Sequence, residues 1–286
     1  MGLGLTPGEL KRLRLRAAAR KQGQPTRGEG IEPPRSVEAS YYRSLRAIVR
    51  KLEQRVKRKI IPLLEQFESE YVIDSPYSVQ QILSAAVTDL EQTPVVLERE
   101  QQRIVTKLAN GTEAFNRAKF LADLNRILGV SLRDIITREG IAFQVGQSIE
   151  ANIALIKSIP EQYHENLRNI INEGIDQGDN AFSIRKQILE LGESTAKRAK
   201  FIARDQVAKL NGAITQARQT RLGVTHYFWR TSKDERVRPS HKEKEGNRYA
   251  WDSPPADTGH PGQDFQCRCS AEPDLSGVLD ELNVAA

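Results

Sequence analysis

Apolar positions along the chain follow two rhythms. Tyr41, Leu45, Ile48, Leu52, Val56 and Ile60 recur at intervals of three or four, which predicts one helix with a single apolar face, bent or ended at Pro62. A second helix is expected over residues 78–92, with Val79, Ile82, Leu83, Ala86 and Leu90 inward; Pro94 then opens a third, which Gly111 closes. Thr112 reads as the N-cap of a helix through Phe115, Leu121, Leu124 and Leu128, stopped by Gly129, and Ser131 as the cap of another through Ile135 and Ile136. Gly140 and Gly146 leave 140–160 open between helix and loop. Tyr163, Leu167, Ile170 and Ile171 form a further stripe ending near Gly174, and Gly178-Asp179-Asn180 makes a turn. Ile184, Ile188 and Leu191 mark a short helix closed by Gly192. Ser194 then caps a long one through Ala199, Ile202, Ala203, Val207, Leu210, Ile214 and Ala217, with Gly223 at its C-cap position.

After Gly223 the period shortens to two. The β-branched and aromatic run Val224-Thr225-His226-Tyr227-Phe228-Trp229 predicts a strand with Val224, His226 and Phe228 on one face and Thr225, Tyr227 and Trp229 on the other. Tyr249-Ala250-Trp251 and the residues from Cys267 to Ala271 predict two more short strands. The expected fold class is therefore mainly α with a small C-terminal α+β domain. Its expected divisions are a flexible basic arm over 1–36, an elongated helical region over 37–160, helices and then the small α+β unit over 161–273, and a charged tail over 274–286. The arm is short of apolar surface: Leu10, Leu13 and Ala17-Ala18-Ala19 support a brief basic helix, which Gly23, Pro25, Gly28, Gly30 and Pro33-Pro34 interrupt.

Charge changes this picture. Residues 1–60 hold 16 Lys/Arg against 5 Asp/Glu, whereas the rest of the chain holds 27 against 32. A basic N-terminal part on an acidic body points to a polyanionic partner, with nucleic acid the first expectation. Arg43, Arg46, Arg50, Lys51, Arg55, Lys57, Arg58 and Lys59 crowd the polar faces of the first helix and are the candidate nucleic-acid contacts; the bland reading is a solvated helix face. No apolar run reaches the roughly 18 residues needed to span a bilayer. Lys11, Arg12, Arg14 and Arg16 interrupt the N-terminal leucines, so no signal peptide is expected and a cytoplasmic origin is.

Chemistry-bearing residues concentrate in 227–269, which contains both cysteines, both tryptophans and two of the four histidines. His241, His260, Cys267 and Cys269 are the donor types of a tetrahedral zinc site, although Cys-X-Cys departs from the usual two-residue spacing. In the alternative reading Cys267 and Cys269 are small buried apolar groups and His241 bonds across a loop. Asp234, Arg236, Arg238 and His241 suit a polar network that locks the loop, and a lone Asp/His pair is a weak signal for acid–base catalysis. Lys242 to Glu245 reads as a solvated turn, and His164 as a surface residue.

The order Ala203-Arg204-Asp205-Gln206 in a long helix, Gly223 before a strand, Trp229, Asp234-Glu235-Arg236-Val237-Arg238-Pro239-Ser240-His241, Gly246 and the closing Cys267-Arg268-Cys269 resembles the phage Mu F-like family over roughly 160–273. Its members are head-morphogenesis or minor capsid proteins of tailed bacteriophages. The resemblance marks Arg204, Trp229, Asp234, Arg236, Arg238, His241 and Gly246 as structural motif residues. Members often show Arg-Thr-Glu where this chain has Arg204-Asp205-Gln206. Some carry Cys-Pro-X-Cys where Arg238-Pro239-Ser240-His241 stands, which would complete a four-cysteine metal site.

The resemblance implies a low-copy, non-enzymatic protein inside the capsid at the portal vertex, acting in assembly and in DNA packaging or ejection. Its implied partners are the portal protein, other capsid or scaffold proteins and packaged double-stranded DNA. No membrane is implied, and assembly would take place in the host cytoplasm. Its cofactor is expected to be none, or zinc. Two rivals stand beside it: a metal-dependent hydrolase or nuclease built on His241, His260, Cys267 and Cys269, and a host nucleic-acid-binding protein suggested by the basic arm alone.

Overall fold

The computed structural model describes residues 8, 11, 15, 26–69, 76–128 and 140–283. Among the described residues six long or medium helices come first: α1 (Arg35–Lys59), α2 (Ile61–Ser69), α3 (Pro76–Gln92), α4 (Glu98–Leu128), α5 (Ala142–Asp176) and α6 (Ala181–Arg221). A compact C-terminal part follows, with β1 (His226–Arg230), the single-turn α7 (Pro239–Lys242), β2 (Arg248–Ala250), β3 (Ser270–Pro273) and α8 (Ser276–Asn283). The fold is thus mainly helical with a small antiparallel sheet, as the two rhythms predict. Two compact units share the chain, one made of 39–106 and 149–203, the other of 1–38, 107–148 and 204–286.

The described elements of the first unit are all helices. Every member of the predicted α1 stripe is at most 3% exposed, so the period of the sequence is the period of burial. Pro62 divides α1 from α2 by sitting in the first turn of α2, where its missing N–H leaves no helical bond unmade. Tyr41 donates its hydroxyl to Asn152 Oδ1 at 2.8 Å within this core, and burial pushes the Tyr41 pKa up. His164 is buried rather than at the surface, and its burial holds the imidazole towards the neutral form.

In the second unit β1 lies at the centre of the sheet order β2-β1-β3, antiparallel to both neighbours. Tyr227 and Trp229 are fully buried, while His226, Phe228 and Arg230 on the other face are partly exposed. The inner face packs Tyr227, Trp229, Trp251, Cys267, Cys269 and Ala271. A separate cluster gathers Ile31, Phe120, Leu124, Ile127, Leu222, Val224, Leu275, Val278 and Leu279. Residues expected in the flexible arm and the tail therefore belong to this core. Gly28 N–H donates to Pro273 O, Leu275 N–H to Thr26 O and Glu29 N–H to Asp123, so backbone pairing and Ile31 burial offset the entropy of ordering 26–34. The expected basic helix through Leu10, Leu13 and Ala17-Ala18-Ala19, and the one following Ser131, lie outside the described residues.

Two expected breaks between helices, at Gly111-Thr112 and at Gly192 to Ser194, are not breaks. α4 starts at Glu98, after Pro94, and runs straight through Gly111 and Thr112. Gly111 faces the Val37 side chain closely, and Thr112 is buried and returns its hydroxyl to Leu108 O at 2.9 Å instead of capping. Likewise α6 continues through Gly192, where a Cβ would meet Glu53, and Ser194 and Thr195 bond back to Leu191 O. The open stretch 140–160 is helix from Ala142 onward, Pro160 included. Each interruption costs about 1 kcal/mol for Gly, less than the burial that a continuous helix provides. Gly178 (φ 73°) and Gly223 (φ 83°) are true ends. In each the glycine and the next residue donate back into the last turn, to Ile175 O and Gly174 O and to Thr220 O and Gln219 O respectively.

Candidate functional site

The site is built from loop 231–269 wrapped over the inner face of the sheet. β1 presents Trp229, whose carbonyl accepts from Gly246 N–H at 2.8 Å, and Gly246 takes φ 78° to make that contact. Between them the chain turns at Asp234, whose side chain accepts from Arg236 N–H and pairs with Arg268 across the loop. That pairing holds the Asp234 carboxyl below the usual carboxylate range. Arg236 itself is exposed, so the expected four-residue network is two smaller ones. In the second, Arg238 and His241 share Asp264: Arg238 donates to its Oδ2 and to Phe265 O, and His241 Nε2–H donates to the same Oδ2 at 2.9 Å.

Pro239 opens α7, and its fixed φ starts the turn that carries His241 inward. His241 is 3% exposed, with Nδ1 3.3 Å from Cys269 Sγ and 3.7 Å from Cys267 Sγ, and its ring stands edge-on to Trp229. Both cysteines are free and buried, in the loop that leads into β3 rather than in a strand.

Cys267 Sγ accepts from Cys269 and from the backbone N–H groups of Gly262 and Cys269, each N–H at 3.4 Å, which pushes the Cys267 thiol down to about 6. Cys269, as the donor to Cys267 and a buried group, is pushed up; the Trp229 indole works in the opposite direction. Trp229 Nε1 is otherwise buried without an acceptor.

His260, the fourth expected ligand, is elsewhere. Its Nδ1 lies 3.0 Å from the Tyr227 hydroxyl, its ring packs on Trp251, and burial pushes its pKa down. The expected four-donor set is therefore a three-donor set, His241 with Cys267 and Cys269, whose ligand atoms all lie within 4.8 Å of one another. His260 instead begins the loop that lies on α6, where Gly212 has Pro261 O and Gly262 against it and no room for a Cβ.

Arg204 faces Glu38 at 3.7 Å. Its neighbour Asp205 is buried and accepts from Gln266 N–H at 2.8 Å, holding the strained φ of 56° just before Cys267. Lys242 to Glu245 is not a solvated turn: Lys244 is buried and pairs with Asp257, and Glu245 accepts from Arg230 and from Thr231 N–H. Asp205 stands in the motif order, but its role is not legible there, and Asp264 and Lys244 lie outside the motif; each acts through a partner far along the chain.

Of the eight basic candidates on α1, half are engaged within their own unit. Arg46 bonds Glu53, Lys51 faces Glu100, Lys59 pairs with Asp89, and Arg55 donates to Thr93 O and Pro94 O. Arg43, Arg50, Lys57 and Arg58 are exposed.

Among the described residues no helix is long and apolar enough to cross a membrane. The family model of Phage Mu protein F like proteins matches residues 165–272, the stretch whose motif order carries the resemblance. The chain is also similar to an uncharacterized protein of Haemophilus influenzae, 35% identical over 250 residues that make up 86% of this chain and 55% of that protein. It thus spans about half the length of that relative. No solved structure matches it.

Proposed function

We propose that this chain is a minor head protein of a tailed phage, placed inside the capsid near the portal, where it serves assembly and DNA packaging or delivery. The observation that carries this reading is the family match over 165–272. The geometry supports it in kind: the motif residues brace a loop over a sheet, as a docking module requires, through ion pairs and backbone contacts. The exposed residues Arg43, Arg50 and Lys57 recur every seven positions along α1, which aligns them on one face. We assign to this face, with Arg58, contact with the phosphates of packaged DNA.

Quantitative mass spectrometry of gradient-purified full capsids tests the head assignment. The chain is expected in every particle, far below the major shell protein in abundance; its absence from full particles and precursor shells would remove the reading. Removing residues 1–60 is unsuitable for testing DNA contact, because the α1 stripe is core. The variant Arg43→Ala/Arg50→Ala/Lys57→Ala/Arg58→Ala keeps that stripe. It is expected to flatten the salt dependence of DNA binding by about 0.9 in log–log slope for each phosphate that is no longer neutralised. An unchanged slope rejects the face.

A further inference from the structure

The cluster of His241, Cys267 and Cys269 is not explained by packing alone. A carboxylate only accepts, so Asp264 Oδ2 places the proton of a neutral His241 on Nε2. Nδ1 then turns a lone pair on two sulfurs, 3.3 and 3.7 Å away. Among the described residues, Gly262 and Cys269 give N–H groups to Cys267 Sγ, and the buried Trp229 Nε1 has no oxygen or nitrogen acceptor. Two cysteine sulfurs and an imidazole lone pair converging within 4.8 Å of one another are the donor set of a thiophilic divalent cation.

Distances agree with that chemistry. Zinc–sulfur and zinc–nitrogen bonds of about 2.3 and 2.0–2.1 Å at a tetrahedral angle put nitrogen and sulfur about 3.6 Å apart. The two observed separations bracket this value.

We propose that His241 Nδ1, Cys267 Sγ and Cys269 Sγ hold one zinc ion, leaving the fourth position to a solvent ligand, and that Asp264 orients His241 for it. Arg238 is not a ligand; it donates to Asp264 and so steadies the carboxylate that sets the His241 tautomer. The ion ties α7 to the segment leading into β3, two pieces of loop that share no strand pairing. His260 takes no part. The inference is independent of the head-protein reading.

The test uses the full chain purified without chelator. Elemental analysis is expected to find about one zinc per chain, in keeping with a single site. Cobalt replacing the zinc should show thiolate-to-metal charge transfer and the strong visible bands of a tetrahedral site. Cys267→Ser and Cys269→Ser should lose the charge-transfer intensity in steps, His260→Gln should keep it, and Asp264→Asn should keep it while weakening zinc about 10–100-fold in chelator competition. Should the serine variants fail to fold, thiol alkylation of the wild-type chain decides instead, with zinc expected to protect both cysteines. A folded wild-type chain that takes up no zinc, or cysteines alkylated equally fast with and without zinc, would overturn the proposal.

Discussion

Helix α1 and the loop 231–269 are both rich in charge, yet they use it in opposite ways. In α1 the apolar stripe from Tyr41 to Val56 holds the element, and the charges lie on the faces the core does not need. Its ion pairs are largely exposed, and such pairs contribute at most about 1 kcal/mol each. In the loop little apolar surface is buried away from the strands, and charges bind the backbone or one another: Glu245 to Thr231 N–H, Lys244 to Ser240 O, Asp234 to Arg236 N–H and Arg268. Charge in a sequence therefore marks a site only after its partners are known. Half of the basic residues of α1 that suggest a nucleic-acid face serve the protein itself, whereas Asp264 in the loop touches both Arg238 and His241.

The largest effects should separate the two regions. Leu52→Ala, at 0% exposure in the stripe, is expected to cost about 2–5 kcal/mol in denaturant unfolding. Asp205→Ala, which removes the buried acceptor of Gln266 N–H, is expected to cost less, about 1–3 kcal/mol. The reverse order would mean that the loop rests on burial as much as the helix does, and would break the contrast.

Glycine sharpens it at a smaller scale. Gly246 has open space around it but a φ of 78°, so Gly246→Ala should destabilise by about 1–2 kcal/mol through backbone strain alone. Gly146 also has open space and stands within α5, so Gly146→Ala should stabilise by about 0.5–1 kcal/mol. Thermal melts of the two variants are expected to shift in opposite directions; shifts of the same sign would sink the distinction.

The smallest effect is a pH slope. His164 and His260 each have a folded pKa lowered from 6.5, mainly by burial, so the unfolded chain binds more protons below that value. Their contribution is complete above about pH 6.5 and is lost as pH falls through the depressed folded values. Urea midpoints should drop between pH 7 and pH 5, and His164→Gln/His260→Gln should flatten that drop. A double variant with the wild-type slope would assign the slope to other groups.

Much of the architecture is legible in the chain because its signals are local. The α1 stripe, the switch of period at Gly223 and the left-handed ends at Gly178 and Gly223 each depend on residues within a turn or two of one another. The motif order from Arg204 to Cys269 is likewise a property of the chain, and it points to the family that the comparison with known proteins finds over 165–272. Tertiary structure decides the rest. Gly111 and Gly192 end helices by propensity, yet α4 and α6 pass through them, because a local penalty near 1 kcal/mol is smaller than the burial along a helix of 31 or 41 residues. His241 and His260 look alike in sequence. Only the fold sends one to two sulfurs and the other to Tyr227, since the approach of side chains about 30 residues apart is set by packing and leaves no mark in their spacing.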